Sequence, residues 1–171
     1  MLPLSEFSNK SPEETGKSFE ENAIIKAKNA GKIINWKFPC LADDSGLCIE
    51  ILGNKPGINS SNWAEEYGYE KVFEIINKKI QNAGSRMEGQ PAFFYCSLAF
   101  LKSPSNVRLF NGKLKGYLTY PPKGDLGFGY DPIFKPIKEN KTLAQLGELK
   151  KNKISHRKEA INKLVEYILE K

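Results

Sequence analysis

The segment that most restricts the fold is residues 92 to 101, AFFYCSLAFL, because it is apolar at both odd and even positions. A strand with this pattern must be covered on both faces, so the segment predicts a central strand. Residues 107 to 118 alternate more clearly between apolar and polar side chains, which predicts an antiparallel partner in a hairpin. We therefore expect a core built around one sheet with layers on both sides.

Helical patterns precede and follow this hairpin. Ser18 and Glu21 form the capping pattern S-x-x-E in front of a first helix. Residues 68 to 81 have apolar residues at every third or fourth position, which is typical of an amphipathic helix. A C-terminal segment that begins at about Ser155 has the same spacing. The apolar face of this last helix is predicted to comprise Ala160, Ile161, Leu164, Val165 and Ile168.

The remaining segments predict short strands and loops. Residues 37 to 42 and 47 to 52 read as two short buried strands, and residues 53 to 67 as a loop rich in Pro, Gly, Asn and Ser. Helices and strands interleave, so the fold class is predicted to be α/β with a mixed sheet. No linker-like stretch divides residues 1 to 171, which predicts a single domain.

Composition excludes several classes of protein. The chain has 171 residues, of which 40% are hydrophobic, and no run approaches the ~18 apolar residues of a membrane span. Its N-terminus lacks the pattern of a signal peptide. The net charge of +6 comes from scattered lysines without an aromatic-basic array, so we expect no nucleic-acid partner and no membrane partner.

Cysteine usage points to a reducing compartment. The three cysteines, Cys40, Cys48 and Cys96, form no C-x-x-C pair, and the single histidine lies far from them in the sequence. A zinc site is therefore disfavoured. An odd number of cysteines without a signal sequence fits the cytoplasm, which is the expected location.

Two adjacent carboxylates, Asp43 and Asp44, form the first candidate for chemistry. Neighbouring side chains of a strand point to opposite faces, so only one of the two is expected to enter a cleft. Ser45 and Gly46 predict a turn at the strand end, where α/β proteins often place ligands. One interpretation is a Mg²⁺ ligand that also serves as general base, and the other is an Asx turn capped by Asp44.

Three further segments have both a functional and a structural interpretation. Glu20 and Glu21 either supply a second metal carboxylate or interact with the positive end of the first helix. Residues 127 to 134, GFGYDPIF, predict either a base-stacking loop or an ordinary glycine turn with core aromatics. Residues 150 to 158, KKNKISHRK, predict either an anion site at a helix N-terminus or a solvated basic helix start.

Taken together, the segments resemble the inosine triphosphate pyrophosphatase family, which hydrolyses ITP, dITP and XTP. The similar stretches occur in the family's order and spacing from about Ser18 to the C-terminus. They are SFEENAIIKAKNA, LADDSGL, GNKPGI, GFGYDPIF and KNKISHR. The resemblance implies a two-lobed α/β fold with a long mixed β-sheet flanked by helices and a central nucleotide cleft. It also implies Mg²⁺-dependent cleavage of a purine nucleoside triphosphate to monophosphate and pyrophosphate, and a homodimer.

The resemblance implies roles for individual residues. Asp44 looks like the metal ligand and the proton acceptor for the attacking water. Glu21 is similar to a metal-site carboxylate, with Asp43 in support, and Ser45 and Lys26 look like groups near the phosphates. One wall of the family's nucleotide pocket corresponds in this sequence to Phe128, Gly129, Tyr130 and Asp131. The base-reading wall corresponds to Lys151, His156 and Arg157.

The sequence departs from the family pattern in two places. The family begins with a strand and a phosphate loop of the form T-G-N-x-x-K, and this chain shows no such unit, which has roughly 30 residues. Asn62 stands where the family commonly has a basic residue. Two explanations follow: a misassigned start codon, or a decayed copy. The alternative function is a truncated, inactive nucleotide-binding remnant.

Overall fold

The architecture is organised by a long hairpin, as the sequence predicts. A computed structural model describes residues 2–8 and 11–170. Strand β3 (Pro91–Ser103) pairs antiparallel with β4 (Asn106–Leu118), and each strand has 13 residues. Most of β3 is buried, as its apolar pattern requires for a strand with packed layers on both faces.

Three further strands and six α-helices surround this hairpin in the described residues. The other strands are β1 (Cys40–Ile49), β2 (Lys55–Pro56) and β5 (Phe134–Pro136). The helices are α1 (Phe19–Ile33), α2 (Ser60–Tyr67), α3 (Tyr69–Asn82), α4 (Leu143–Leu146), α5 (Glu148–Ile154) and α6 (His156–Leu169).

The sheet has the strand order β2-β1-β3-β4-β5, and helices flank it on both faces. The predicted α/β class is confirmed, but the predicted mixed sheet is not what the described strands form. All four pairings are antiparallel. Parallel pairing requires a crossover connection that places two strands side by side in the same direction. The sequence interleaves helices with strands, but none of the described connections is of this kind.

Strand β1 is continuous where two short strands and a turn were predicted. All ten of its residues, including Ser45 and Gly46, pair with β3. The tertiary ladder therefore overrides the local turn preference of Ser-Gly. The absence of a side chain at Gly46 is required, because a Cβ there would collide with the carbonyl oxygen of Gly57 and the hydroxyl of Ser60. The predicted loop at residues 53 to 67 likewise contains the unpredicted helix α2.

Helices α1 and α6 cover opposite faces of the same part of the sheet. Ala99 and Leu101 of β3 pack against α1, whereas Cys96 and Leu98 of the same strand pack against α6. Both helices begin where the sequence predicts, since Ser18 and Ser155 accept hydrogen bonds from backbone amides of their first turns.

The largest apolar cluster occupies another part of the α6 face. Phe94 and Leu47 pack there with Val72, Ile76 and Ile80 of α3. The face of the sheet that α6 covers is thus packed in two parts, one against α6 and the other against this apolar cluster with α3. The pocket of the candidate site lies between the α6 packing and this apolar cluster. None of the helices in residues 2–8 and 11–170 combines the length and apolar character needed to cross a membrane.

Candidate active site

Asp44 lies on the α1 face of the sheet, in the middle of β1. Its side chain is nearly buried, and Lys26 of α1 donates to Oδ1 at 2.8 Å. Asn22 donates from Nδ2 to Oδ2 at 3.2 Å, while its own Oδ1 accepts from the backbone of Gly16 at 2.8 Å. The orientation of the Asn22 amide is therefore determined at both ends, and this side chain holds the Asp44 carboxylate in place.

The surroundings of Asp44 make it a better base than an exposed aspartate. Burial is the largest influence and raises the pKa of its carboxyl group, whereas the hydrogen bond from Lys26 lowers it. Glu14 lies 3.1 Å from the ammonium group of Lys26, and its negative charge also raises the pKa of Asp44. A carboxylate with a raised pKa accepts a proton more readily at neutral pH.

Asp43 lies on the opposite face, as strand alternation predicts. Arg157 of α6 donates from Nε to Oδ2 of Asp43 at 2.9 Å, and Ser45 donates to the same oxygen at 3.1 Å. Burial is the largest single influence and raises the pKa of Asp43, but the charge and hydrogen bond of Arg157, with smaller contributions from Ser45 and Lys26, together place the pKa below its usual value. Asp43 is thus an anion at neutral pH, paired with Arg157.

A pocket of about 170 Å³ opens beside Asp43 on the α6 face. Its volume is below the ~300–1,000 Å³ of most ligand sites, so it suits one ring system of a larger ligand. It is lined by Ser45, Gly46, Ser60, Ser61, Tyr69, Phe94, Phe128, Gly129, Tyr130, Asp131, Lys151, His156 and Arg157. All seven residues predicted for the two nucleotide walls, and Ser45, are therefore brought together.

His156 forms a flat apolar wall of this pocket. Its ring stacks on Phe94 with centroids 5.0 Å apart and planes 9° apart. Burial, with a smaller contribution from Arg157, lowers the pKa of His156 to about 3, so its imidazole is neutral at physiological pH. Its Nδ1 has no hydrogen-bond partner among the described residues. Gly112 permits this position, because a Cβ there would collide with the carbonyl oxygen of His156.

The facing wall is the loop around Phe128. Lys151 of α5 is buried and forms an ion pair with Asp131, whose Oδ2 also accepts from the backbone of Phe128 at 3.0 Å. The ammonium group of Lys151 lies 3.6 Å from the ring centroid of Phe128, which is 65% exposed. Gly127 and Gly129 have positive φ angles of 86° and 67°, so this aromatic is presented by a turn that favours glycine.

Three predicted metal-site residues do not converge. Asp43 faces away from Asp44, and the exposed carboxylate of Glu21 accepts from the backbone of Lys17 at 2.6 Å as part of the helix cap. Within residues 2–8 and 11–170, no three His, Cys, Asp or Glu side chains form a group that could hold a metal ion. Mg²⁺ commonly uses one or two carboxylates with substrate phosphates and water, and Asp44 on its own fits that mode.

Sequence reasoning missed three residues that shape the site. Asn22 orients Asp44, Phe94 supports His156, and Ser60 holds the pocket edge by donating to Gly57 and accepting from the backbone of Leu47. A signal was present only for Asn22, a short polar side chain next to the apolar stripe of α1. Phe94 and Ser60 depend on contacts between segments far apart in the sequence.

Comparisons with known proteins match nearly the whole chain. A model of the Ham1 family matches residues 1–167. The chain is 41% identical over 160 residues to a dITP/XTP pyrophosphatase of Dictyoglomus thermophilum, which covers 93% of this chain and 76% of that protein. It is 41% identical over 153 residues to the dITP/XTP pyrophosphatase of Bacillus subtilis, with coverages of 89% and 75%. The structure of a HAM1 protein from Coxiella burnetii matches 99% of this chain and 86% of its own, with 36% identity and a TM-score of 0.90.

Proposed function

The chain belongs to the Ham1 family, and we propose that it is a nucleoside triphosphate pyrophosphatase acting on ITP, dITP and XTP. In this reaction water attacks the α-phosphorus, the bond to the bridging oxygen breaks, and the products are the monophosphate and pyrophosphate. One observation carries the proposal. Asp44, a buried carboxylate, immediately precedes Ser45 and Gly46, which line an aromatic and basic pocket.

The pocket suits a purine base. Phe128 offers an exposed ring for stacking, and the neutral ring of His156 lines the same cavity. The ion pair with Asp43 engages Nε of Arg157, so the terminal nitrogens of the guanidinium remain as donors for a ligand. Hypoxanthine and xanthine present O6 and N7 as acceptors, which an arginine matches bidentately, whereas adenine presents an N6 donor there. GTP also carries O6, so Arg157 does not by itself exclude it.

The α1 side of β1 suits the hydrolytic step. Asp44 accepts the proton of the attacking water, and Asn22 keeps the carboxylate oriented towards it. Lys26 holds the other carboxylate oxygen and places a positive charge beside the path of the phosphates. Among the described strands, β1 pairs with β2 only at Cys48 and Ile49, so its edge at Asp44 and Ser45 is open, and a base bound in the pocket directs its phosphates past Ser45 and around this edge towards Asp44.

Mg²⁺ is the proposed cofactor, with Asp44 as its ligand. Each Asp44 oxygen accepts one hydrogen bond and retains a second acceptor position, which fits a hard cation that prefers oxygen ligands. When bound, Mg²⁺ lowers the pKa of a coordinated water and neutralises phosphate charge. The family resemblance further supports a homodimer in the cytoplasm, and a molar mass from light scattering close to twice 19.3 kDa would agree with the dimer.

Turnover by the purified chain tests this function. With Mg²⁺, the wild type should release pyrophosphate from ITP, dITP and XTP and release much less from ATP. The monophosphate should appear in equal amount, which separates this reaction from stepwise removal of phosphate. Binding of ITP by calorimetry without any release of pyrophosphate would instead favour the inactive nucleotide-binding remnant. Equal rates for ITP and ATP would contradict the proposed base recognition.

A further inference from the structure

A row of polar side chains runs across three strands beneath α1. Asp44 of β1 lies directly opposite Ser97 of β3, which in turn lies directly opposite Asn111 of β4. Direct partners in an antiparallel sheet project to the same face, with Cβ atoms about 4.5–5.5 Å apart. The three side chains therefore line one continuous strip on the face that bears Asp44.

Glu20 closes the strip at the start of α1. Its Oε1 accepts from the hydroxyl of Tyr95 at 2.7 Å and from Nδ2 of Asn111 at 3.1 Å. An ionised carboxylate only accepts hydrogen bonds, so the nitrogen of the Asn111 amide must face Glu20. The carbonyl oxygen of Asn111 consequently points away from Glu20.

Two oxygens of this strip are buried without a partner in the part of the chain that the structure describes. They are Oγ of Ser97 and Oδ1 of Asn111, and the residue Ser97 is 0% exposed. A buried polar atom without a partner costs about 1–3 kcal/mol. Such atoms are therefore expected to face a group that the protein does not itself provide.

The chemistry of the strip suits a divalent cation with its coordinated water. Asp44, Ser97 and Asn111 present oxygen atoms only, and Asp44 retains free acceptor positions. Mg²⁺ and Mn²⁺ take ligands of this kind, including hydroxyl and amide oxygens and bridging waters. The ammonium group of Lys26 binds one oxygen of Asp44, and Ser97 is the direct cross-strand neighbour of Asp44 on the same face of the sheet.

We propose that Ser97 and Asn111 form a second wall of the cation site: Ser97 binds the divalent cation of Asp44 directly or through ordered water, and Asn111, two strands away from Asp44, binds the ordered water around it, with Glu20 orienting Asn111. This inference rests on the proposed function, because it extends the cation site at Asp44. It assigns cation binding to two residues of the sheet. It also makes Glu20, rather than Glu21, the carboxylate of α1 that supports the cation site.

Mn²⁺ binding to the nucleotide-free protein, followed by electron paramagnetic resonance, tests the inference without turnover. Ser97→Ala removes one buried hydroxyl and leaves a smaller side chain, and it should weaken Mn²⁺ binding by about 10-fold or more, as loss of supporting groups in metal sites does. The matched control is Ser105→Ala, a hydroxyl removed from the exposed turn of the same hairpin, which should bind Mn²⁺ like the wild type. Circular dichroism checks that both variants are folded.

A second pair of variants separates the two carboxylates of α1. Glu20→Gln should weaken Mn²⁺ binding, and Glu21→Gln should leave it nearly unchanged, because the Glu21 carboxylate serves the helix cap. Wild-type affinity in folded Ser97→Ala would overturn the inference, as would a larger loss in Glu21→Gln than in Glu20→Gln. Either result together with normal pyrophosphate release by the wild type would leave the proposed function standing. A wild type that neither binds Mn²⁺ nor hydrolyses ITP would overturn both.

Discussion

The two faces of β1 place adjacent aspartates in contrasting environments. Asp44 is held by an amide and an ammonium group from α1, and its pKa is raised by burial. Asp43 is paired with the guanidinium group of Arg157 from α6, and its pKa is lowered. The strand acts as a partition, so the same residue type has a raised pKa on one side and a lowered pKa on the other.

This partition also explains why two neighbouring negative charges are tolerated. Side chains that alternate across a strand are separated by the backbone, and each carboxylate meets a cation on its own face. Lys26 and Arg157 come from helices that are more than a hundred residues apart in the sequence. Each aspartate is thus paired with its own helix, α1 on the Asp44 side and α6 on the pocket side.

The largest expected effect comes from exchanging the two carboxylates for amides. Asp44→Asn should lower kcat for ITP by about 10²–10⁴-fold, because it removes the proton acceptor. Asp43→Asn is the matched control on the other face and should act mainly on KM, because Arg157 loses its partner while Asp44 is unchanged. Pyrophosphate release at varied ITP concentration separates the two parameters. A loss of kcat in Asp43→Asn as large as that in Asp44→Asn would break the distinction between the faces.

The second prediction concerns Arg157 on the pocket side. Arg157→Lys keeps the charge but removes the planar fork, so the preference for ITP over ATP should fall by about 1–3 kcal/mol in transition-state discrimination. The ratio of kcat/KM for the two substrates measures it. Lys158→Arg, a comparable exchange at the exposed neighbouring position, should leave the ratio unchanged. An unchanged ratio in Arg157→Lys would remove Arg157 from base recognition.

The third prediction concerns Asn22 on the α1 side. Asn22 is 2% exposed and bridges Gly16 and Asp44. Asn22→Ala should cost about 1–3 kcal/mol of unfolding free energy in urea titrations, since it leaves buried groups unpaired. It should also lower kcat with little change in KM. Asn29→Ala on the same helix serves as the control. Wild-type stability and kcat in Asn22→Ala would show that Asp44 is positioned without it.

The comparison of the two faces shows which parts of the structure were accessible from sequence. Strand alternation correctly separated Asp43 from Asp44, because it is a local property of the backbone. The continuity of β1 through Ser45 and Gly46 was not accessible, because it results from pairing with β3 fifty residues away. The contact of Asn22 with Asp44 depends in the same way on how α1 crosses the sheet.

Helix α6 shows the same limit in its packing. Periodicity correctly predicted the helix and its cap at Ser155, and Ala160 and Leu164 are buried as expected. Ile161 and Val165 remain almost half exposed, because the sheet contacts only part of the apolar stripe. Periodicity identifies which residues share one face of a helix. How many of them are buried depends on how much of that face the sheet covers.

The last expected effect is on stability alone, with no change in turnover at neutral pH, and is a pH dependence that arises on the pocket side. His156 stays neutral in the folded protein down to a pKa of about 3, because burial opposes its charge. Arg157 and Lys151 oppose that charge as well, and Asp43 favours it. In the unfolded chain a histidine has a pKa of about 6.5. Below that pH the unfolded state binds more protons, so the free energy of unfolding should fall by up to about 1.4 kcal/mol per pH unit.

His156→Phe isolates this contribution, because it retains an aromatic ring against Phe94 but cannot titrate. The stability of the variant relative to the wild type should therefore increase as the pH falls from 6.5 towards 4, by the same slope. Urea titrations at several pH values measure the difference. The lowered pKa of Asp43 also reduces stability as the pH approaches 4, but the carboxyl is present in both proteins and its contribution cancels in the difference. A difference that stays constant between pH 6.5 and 4 would mean that His156 is protonated in the folded pocket, and the neutral wall facing the base would be lost.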